Sequence, residues 1–300
     1  MNRIKIVHII FLLASGLFVS CGSDNTDQLD DLYLDIPDAQ FETKLINLGI
    51  DSDGKVNQQM LKEDAEEVRS LNLNSQNVND EISDLTGIEG FISLKSLFAI
   101  GNTLTSIDLS ANTVLDSLSL VGNAISSIDI SNNTKLTWLD LKVNDITAIT
   151  GLAEATHLKW LNLSFNLFEE FSIQNEFLEN LLISDNLLKS FDASGAINLK
   201  SINIKTNELP SIDLSASTQL EVLVLSNNKI RTLNLDENSN LLYFYASSNL
   251  FTNLDVSKLG ELIDLRVDRN PDLSCIRVEG GQEIPTVSIS DYQELNTVCN

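Results

Sequence analysis

Few side chains of this chain are placed to make or break bonds, and their positions exclude most catalytic chemistry. His157 is the only histidine besides His8, so a nucleophile–histidine–carboxylate triad would depend on that one residue. A multi-histidine zinc site lacks its ligands. The three cysteines, Cys21, Cys275 and Cys299, show no metal-binding spacing. Carboxylates are abundant, with 43 Asp and Glu, and isolated pairs therefore arise without meaning. No glycine-rich phosphate loop or nucleophile elbow is present. The stretch Asp51-Ser52-Asp53-Gly54-Lys55-Val56-Asn57 has part of a calcium-loop pattern. Setting Gly54 at the sixth loop position puts Gly49 and Met60 where carboxylates are required, so the stretch reads as an Asp-Gly turn. The expectation is a chain that is not an enzyme, with no catalytic residue, no metal ligand set and no cofactor. What remains is surface recognition, and both tryptophans, Trp138 and Trp160, with the pair Tyr243 and Tyr245, are its obvious instruments.

Charge narrows the partners. With 19 Lys and Arg against the acidic groups, the formal net charge is −24. Binding to a phosphate backbone relies on neutralisation by Lys and Arg, so nucleic acid is excluded as a partner. A hydrophobic content of 43% is enough for a sizeable core.

The elements that must position the aromatics repeat along the chain. Aligned on Leu-x-x-Leu-x-Leu-x-x-Asn, repeats start at Val68, Leu94, Leu115, Leu136, Leu158, Leu178, Leu199, Leu220, Leu241 and Leu262, mostly 20 or 21 residues apart. Each ends in an asparagine, from Asn77 and Asn102 through Asn186 to Asn270, expected to be buried and to satisfy backbone groups where the strand turns. The short strand of a repeat, as in Trp138-Leu139-Asp140-Leu141, points alternate side chains inward and outward. One turn cannot bury its leucines alone, so the turns must stack into a parallel sheet. The pattern resembles that of leucine-rich repeats over about two thirds of the chain. The resemblance implies an α/β solenoid, curved, with the parallel β-sheet on its concave face. A second half-repeat, as in Ile107-Asp108-Leu109-Ser110 and Ile128-Asp129-Ile130-Ser131, forms the opposite edge, and its aspartates read as turn caps.

The outward strand positions of such a solenoid form its largest tunable surface. Three aspartates, Asp140, Asp264 and Asp268, face three basic residues, Lys142, Lys205 and Arg266, so this surface is neutral although the chain is strongly acidic. Trp138 and Trp160 fall in one outward column on adjacent strands, which predicts a continuous apolar platform beside Asp140, Lys142, Asn162 and Leu182. Tyr243 and Tyr245 make a second aromatic spot. The competing reading is that aromatics favour strands and pack on each other.

The chain begins with Arg3 and Lys5, then an apolar run from Ile6 to Val19, too short to span a bilayer comfortably. Residues 1–20 read as an export signal, and Leu17-Phe18-Val19-Ser20-Cys21 resembles the lipobox of bacterial lipoproteins, implying lipidation at Cys21. Residues 21–35 are polar and acidic and read as a flexible tether. With Cys21 acylated, Cys275 and Cys299 remain for a disulfide worth roughly 3 kcal/mol in an oxidising compartment.

Solenoid ends need covers. Residues 36–67 are expected to form the N-terminal cap, with a short helix from Ile36 to Gly49 that buries Phe41, Leu45 and Leu48. Residues 68–270 hold the ten repeats, and residues 271–300 form the C-terminal cap. Both caps resemble those of Bacteroidetes surface leucine-rich repeat proteins of internalin-like type, which implies that Cys275–Cys299 closes the second one. The expectation is thus an outer-membrane lipoprotein exposed on the cell surface, anchored by lipid alone, monomeric, and serving adhesion by binding a protein on its concave face. The alternative is carbohydrate binding for a glycan-uptake system, with the tryptophans stacking on sugar rings.

Overall fold

The computed structural model describes residues 32–299; the leader, Cys21 and most of the tether lie outside the described residues. Eleven three-residue strands form one parallel sheet in sequence order, from Ser70–Asn72 to Thr286–Ser288. Register is one to one throughout: Leu71, Leu97, Leu118, Leu139 and Leu161 are successive partners, followed by Leu181, Ile202, Leu223, Phe244 and Leu265. All ten side chains are fully buried. At about 25 cal/mol per Å2 of apolar surface, stacking these columns is the main force that holds turn to turn. The sheet therefore presents its outward columns in fixed register, one strand per turn.

The opposite edge is less regular. Two-stranded parallel pieces join Ser127–Asp129 with Ala148–Thr150 and Glu170–Ser172 with Ser190–Asp192, and a three-stranded piece joins Leu254–Asp255, Cys275–Arg277 and Glu294–Asn296. Between them the chain turns through aspartate caps. Ser110, Ser194 and Ser215 each donate a backbone N–H to the aspartate two residues earlier at 2.9 Å, and Ser131 does so at 2.8 Å. The aspartate column is thus occupied in turn formation, as its Asp-x-Ser spacing suggests.

Nine of the ten repeat asparagines make a ladder. Asn186 is typical: its Nδ2 donates to Leu163 O in the preceding turn at 3.0 Å and to Ile183 O in its own at 3.3 Å, while its Oδ1 accepts the Phe168 N–H at 3.1 Å. Asn77, expected to be buried with the rest, is exposed. The ladder reaches backward, and the first turn has no predecessor to reach. A second buried column, Asn112, Asn133, Asn175 and Asn238, lies three residues before the first leucine of its repeat and ties the other side of the turns; Asn133 donates to Leu109 O and Asn112 O at 3.0 Å each.

At the N-terminal end the helix Ala39–Asn47 starts at Asp38, whose Oδ1 accepts the N–H groups of Gln40 and Phe41. The other oxygen of Asp38 accepts from Ser83 and Asp84, tying the helix to the first turn. Phe41 and Leu45 are buried as expected, but Leu48 is 50% exposed because it follows the last helical residue and leaves the buried face. Glu42 is fully buried and accepts the N–H groups of Asn57, Gln58 and Gln59, which fix the loop. The Asp51–Asn57 stretch is a run of side-chain-capped turns with Gly54 at φ +64°. Order begins before the expected cap: Tyr33–Asp35, read from sequence as tether, pairs antiparallel with Gln59–Leu61. Leu34 and Ile36 supply the buried side chains that pay for it.

The C-terminal segment does more than cap. Thr286–Ser288 is the eleventh strand of the main sheet, and two glutamines replace the asparagine columns. Gln293 donates to Val267 O at 3.1 Å, and Gln282 to Val256 O at 3.1 Å and Leu259 O at 2.9 Å. Cys275 and Cys299 form a disulfide with Cα atoms 5.7 Å apart.

Candidate functional site

Trp138 and Trp160 stand at the first outward position of paired strands, Trp138–Asp140 and Trp160–Asn162. Their rings do not lie flat as a broad platform. They stack, with centroids 5.0 Å apart and planes 12° from parallel, so each indole covers one face of the other. Phe98 approaches Trp138 at 6.2 Å with planes tilted by 43°, across the intervening strand Ser117–Ser119. The two serines there leave the room for this approach, and Ser119 is buried beneath it with its hydroxyl unpartnered within the protein. The result is a row of three rings set on edge, half-buried, that offers edges and one outer face to solvent.

The polar neighbours are preorganised. Asp140 accepts the Lys142 N–H at 3.2 Å, and burial pushes its carboxyl above the ordinary value against the pull of Lys142 and Asn162. Asn162 is buried and accepts the Ser164 N–H at 3.1 Å. Leu182 pairs with Asn162 on the next strand and is half-buried. The ammonium of Lys142 sits 5.3 Å from the Phe165 ring, away from the indoles.

The tyrosine spot is built differently. Tyr245 donates its hydroxyl to Asp264 at 3.0 Å, and Arg266 grips the same carboxylate with Nε at 3.1 Å and Nη2 at 2.8 Å. The Arg266 guanidinium also lies 4.7 Å from the Tyr245 ring centre. Arg266 holds the Asp264 carboxyl below its ordinary value, with the Tyr245 hydroxyl helping. Tyr243, half-buried on the same strand, flanks this cluster.

A separate groove of about 640 Å3 lies where the N-terminal helix meets the first strand, lined by Lys44, Asn47, Leu48, Asn72, Asn74, Gln76 and Asp80. Lys44 donates to Leu73 O and Asn74 O at 3.0 Å each, and Asp80, pulled down to about 2 chiefly by the Ser75 hydroxyl, faces it. Sequence reading missed this groove because its amides come from the helix and the first turn. It also passed over Val143, Phe165, Leu167 and Leu187, which are exposed just beyond the strands; Gly101 and Gly122, at the position of Val143 and Phe165 in earlier turns, were the available signal.

Among the described residues no group of histidine, cysteine and carboxylate side chains is arranged to hold a metal ion, and no helix is long and apolar enough to cross a membrane. No protein-family model matches the chain, and no curated protein matches it significantly. Solved structures do. The functional domain of InlJ from Listeria monocytogenes, described as including a cysteine ladder, superposes with a TM-score of 0.73 at 22% identity, over 89% of this chain and 63% of that one. Internalin C2 from Listeria monocytogenes gives a TM-score of 0.60 at 21% identity, over 71% and 97% of the two chains. The leucine-rich repeat domain of APL1B gives 0.56 at 19% identity, over 78% and 71%. The fold is that of the leucine-rich repeat solenoids, internalins among them, and such solenoids generally present their sheet as an interaction surface.

Proposed function

We propose that this chain is a non-enzymatic recognition protein, anchored at the cell surface through lipid on Cys21, that binds a protein partner on the outward face of its main sheet. The observation that carries the reading is the ring row Phe98, Trp138, Trp160, held half-exposed on a charge-neutral strip of a chain of net charge −24. Aromatic anchors at the centre of a surface with little charge are the usual energetic core of protein interfaces. Stacking also narrows the room for sugar: a pyranose needs a free ring face, and the two indoles cover one face each and leave a single outer face. A partner would insert side chains against the ring edges while Asp140 and Asn162 fix its orientation.

Glycan capture is the second reading, favoured by the amide-lined groove of Asn47, Asn72, Asn74 and Gln76, whose donors and acceptors suit hydroxyl groups. A binding screen of the full chain against surface-protein and glycan arrays separates the two. Protein binding weakened at least about tenfold by the double change Trp138→Ala, Trp160→Ala supports the first reading. Glycan binding that survives this change and is lost in Asn74→Ala supports the second. For the anchor, Cys21→Ser should abolish metabolic labelling with a fatty acid, and a variant that is still labelled refutes it.

A further inference from the structure

In nine of the ten turns the residue before the repeat asparagine adopts a left-handed backbone, Asp185, Thr206, Ser248 and Arg269 among them at φ +55° to +58°. Gly101 and Gly122 do so at φ +70°, and Asn227 at φ +60°. Val143 and Phe165 hold the same conformation at φ +58°. Branched and bulky side chains are disfavoured there because they crowd the backbone, and of the nine occupants Val143 and Phe165 alone are large and apolar. Such strain is normally offset by packing the side chain away, yet Val143 is 45% exposed and Phe165 48%. The fold gains little from either residue at a place where glycine or asparagine would serve.

The two sit together. Val143 N–H donates to Ser164 O at 3.0 Å and Phe165 N–H to Ser184 O at 2.9 Å, so they occupy consecutive turns, at the ends of the strands that carry the indoles. Leu167, 43% exposed, and Leu187, 42% exposed, follow on consecutive turns just beyond. A polar strip of Asp140, Lys142, Asn162 and Ser164 separates this apolar rim from the tryptophans, which lie roughly 15 Å away along the strand direction. Around the rim stand Asp145, the counterpart of Leu167 one turn earlier, and Glu169 with Glu170, against Lys189, which pairs with Glu169 at 2.8 Å, and Lys142, whose ammonium lies 5.3 Å from the Phe165 ring centre.

Exposed apolar side chains at strained positions point to a function outside the fold. We infer that Val143, Phe165, Leu167 and Leu187 form a second contact area of the same interface, and that it receives a protein segment whose apolar side chains are flanked by lysine or arginine. The inference rests on the sheet-face reading. The acidic rim and the net charge of −24 select the basic flanks and would speed encounter with them.

The test pans a random-peptide display library against the full chain and measures selected peptides, made synthetically, on variants. Peptides combining aromatic or branched aliphatic residues with Lys or Arg should bind, less tightly as salt is raised. They should lose at least about tenfold in affinity on the double change Val143→Gly, Phe165→Asn. That variant should melt about 2–4 °C higher than the parent, because the strain is relieved. Binding that survives it but is lost in Trp138→Ala, Trp160→Ala overturns the rim and leaves the sheet face standing. Binding that survives both removes the sheet face as well. Loss in the rim variant alone overturns the shared interface, and a library that yields only acidic peptides or none overturns the partner chemistry. A lower melting point in the rim variant shows that the two residues serve the fold, which also overturns the inference.

Discussion

The tryptophan turns and the tyrosine turns belong to one sheet, with the same register and the same leucine core, yet their outward side chains are used in opposite ways. Around Tyr245 the groups satisfy one another: hydroxyl and guanidinium both donate to the Asp264 carboxylate, and the cation covers the aromatic face. Around Trp138 and Trp160 the rings stack on each other and meet Phe98, the Asp140 carboxyl is desolvated with hydrogen bonds but no ion pair among the described residues, and nearby apolar residues hold strained conformations in solvent. Aromatic content alone therefore does not mark a recognition site. The discriminating property is whether the polar and apolar demands of a patch are met from within the fold.

Three experiments bear on this contrast. The largest effect should come from below the surface: Leu139→Ala, beneath the indoles and fully buried, should destabilise by about 2–5 kcal/mol in chemical denaturation. Trp160→Ala on the same turn should cost about 1 kcal/mol, the worth of one aromatic pair. If the indole costs as much as the leucine, the ring row is part of the core and the contrast fails. Asp264→Asn comes next, with an expected loss of about 1–3 kcal/mol, since it weakens the hold on Arg266 and Tyr245 at a buried position. A neutral result would make the tyrosine cluster as open to partners as the tryptophan row.

The smallest effect is a titration order. Asp264 is depressed in the folded chain, so its stabilisation is complete above the unfolded value of about 3.9 and is lost as pH falls through the lower folded value. Asp140 is raised, so its charge works against folding at neutral pH, and acidification through its folded value relieves this. Carboxyl resonances followed by NMR should show Asp140 protonating at higher pH than Asp264. The reverse order would mean that Asp140 has found a partner and that the two patches are alike.

Much of this was legible in the sequence, because the inward leucines and the adjacency of Trp138 and Trp160 follow from a period of two within strands and a near-constant turn length. The stacking of the indoles was not legible, since ring orientation depends on the small Ser117 and Ser119 beside them. The eleventh strand was hidden because Gln293 reaches from one residue later in its turn and so breaks the asparagine pattern. The second asparagine column was obscured by Ala155, Ala196 and Ser217 at intervening positions. The backbone strain at Val143 and Phe165 was visible only as glycine in neighbouring turns. The resemblance to lipoproteins rests on residues 1–31, where only the sequence speaks.

The backward reach of the asparagine ladder gives the solenoid a direction in time. Each asparagine, as it leaves the ribosome, adds backbone bonds to the turn that emerged before it, and the bonds that its own turn takes from the next one wait until that turn arrives. A chain made from its N-terminus can therefore lock one turn at a time with a single unfinished turn at the growing end. The turn with Gln282, Gln293 and the disulfide is then the last to be secured, after all the others have set.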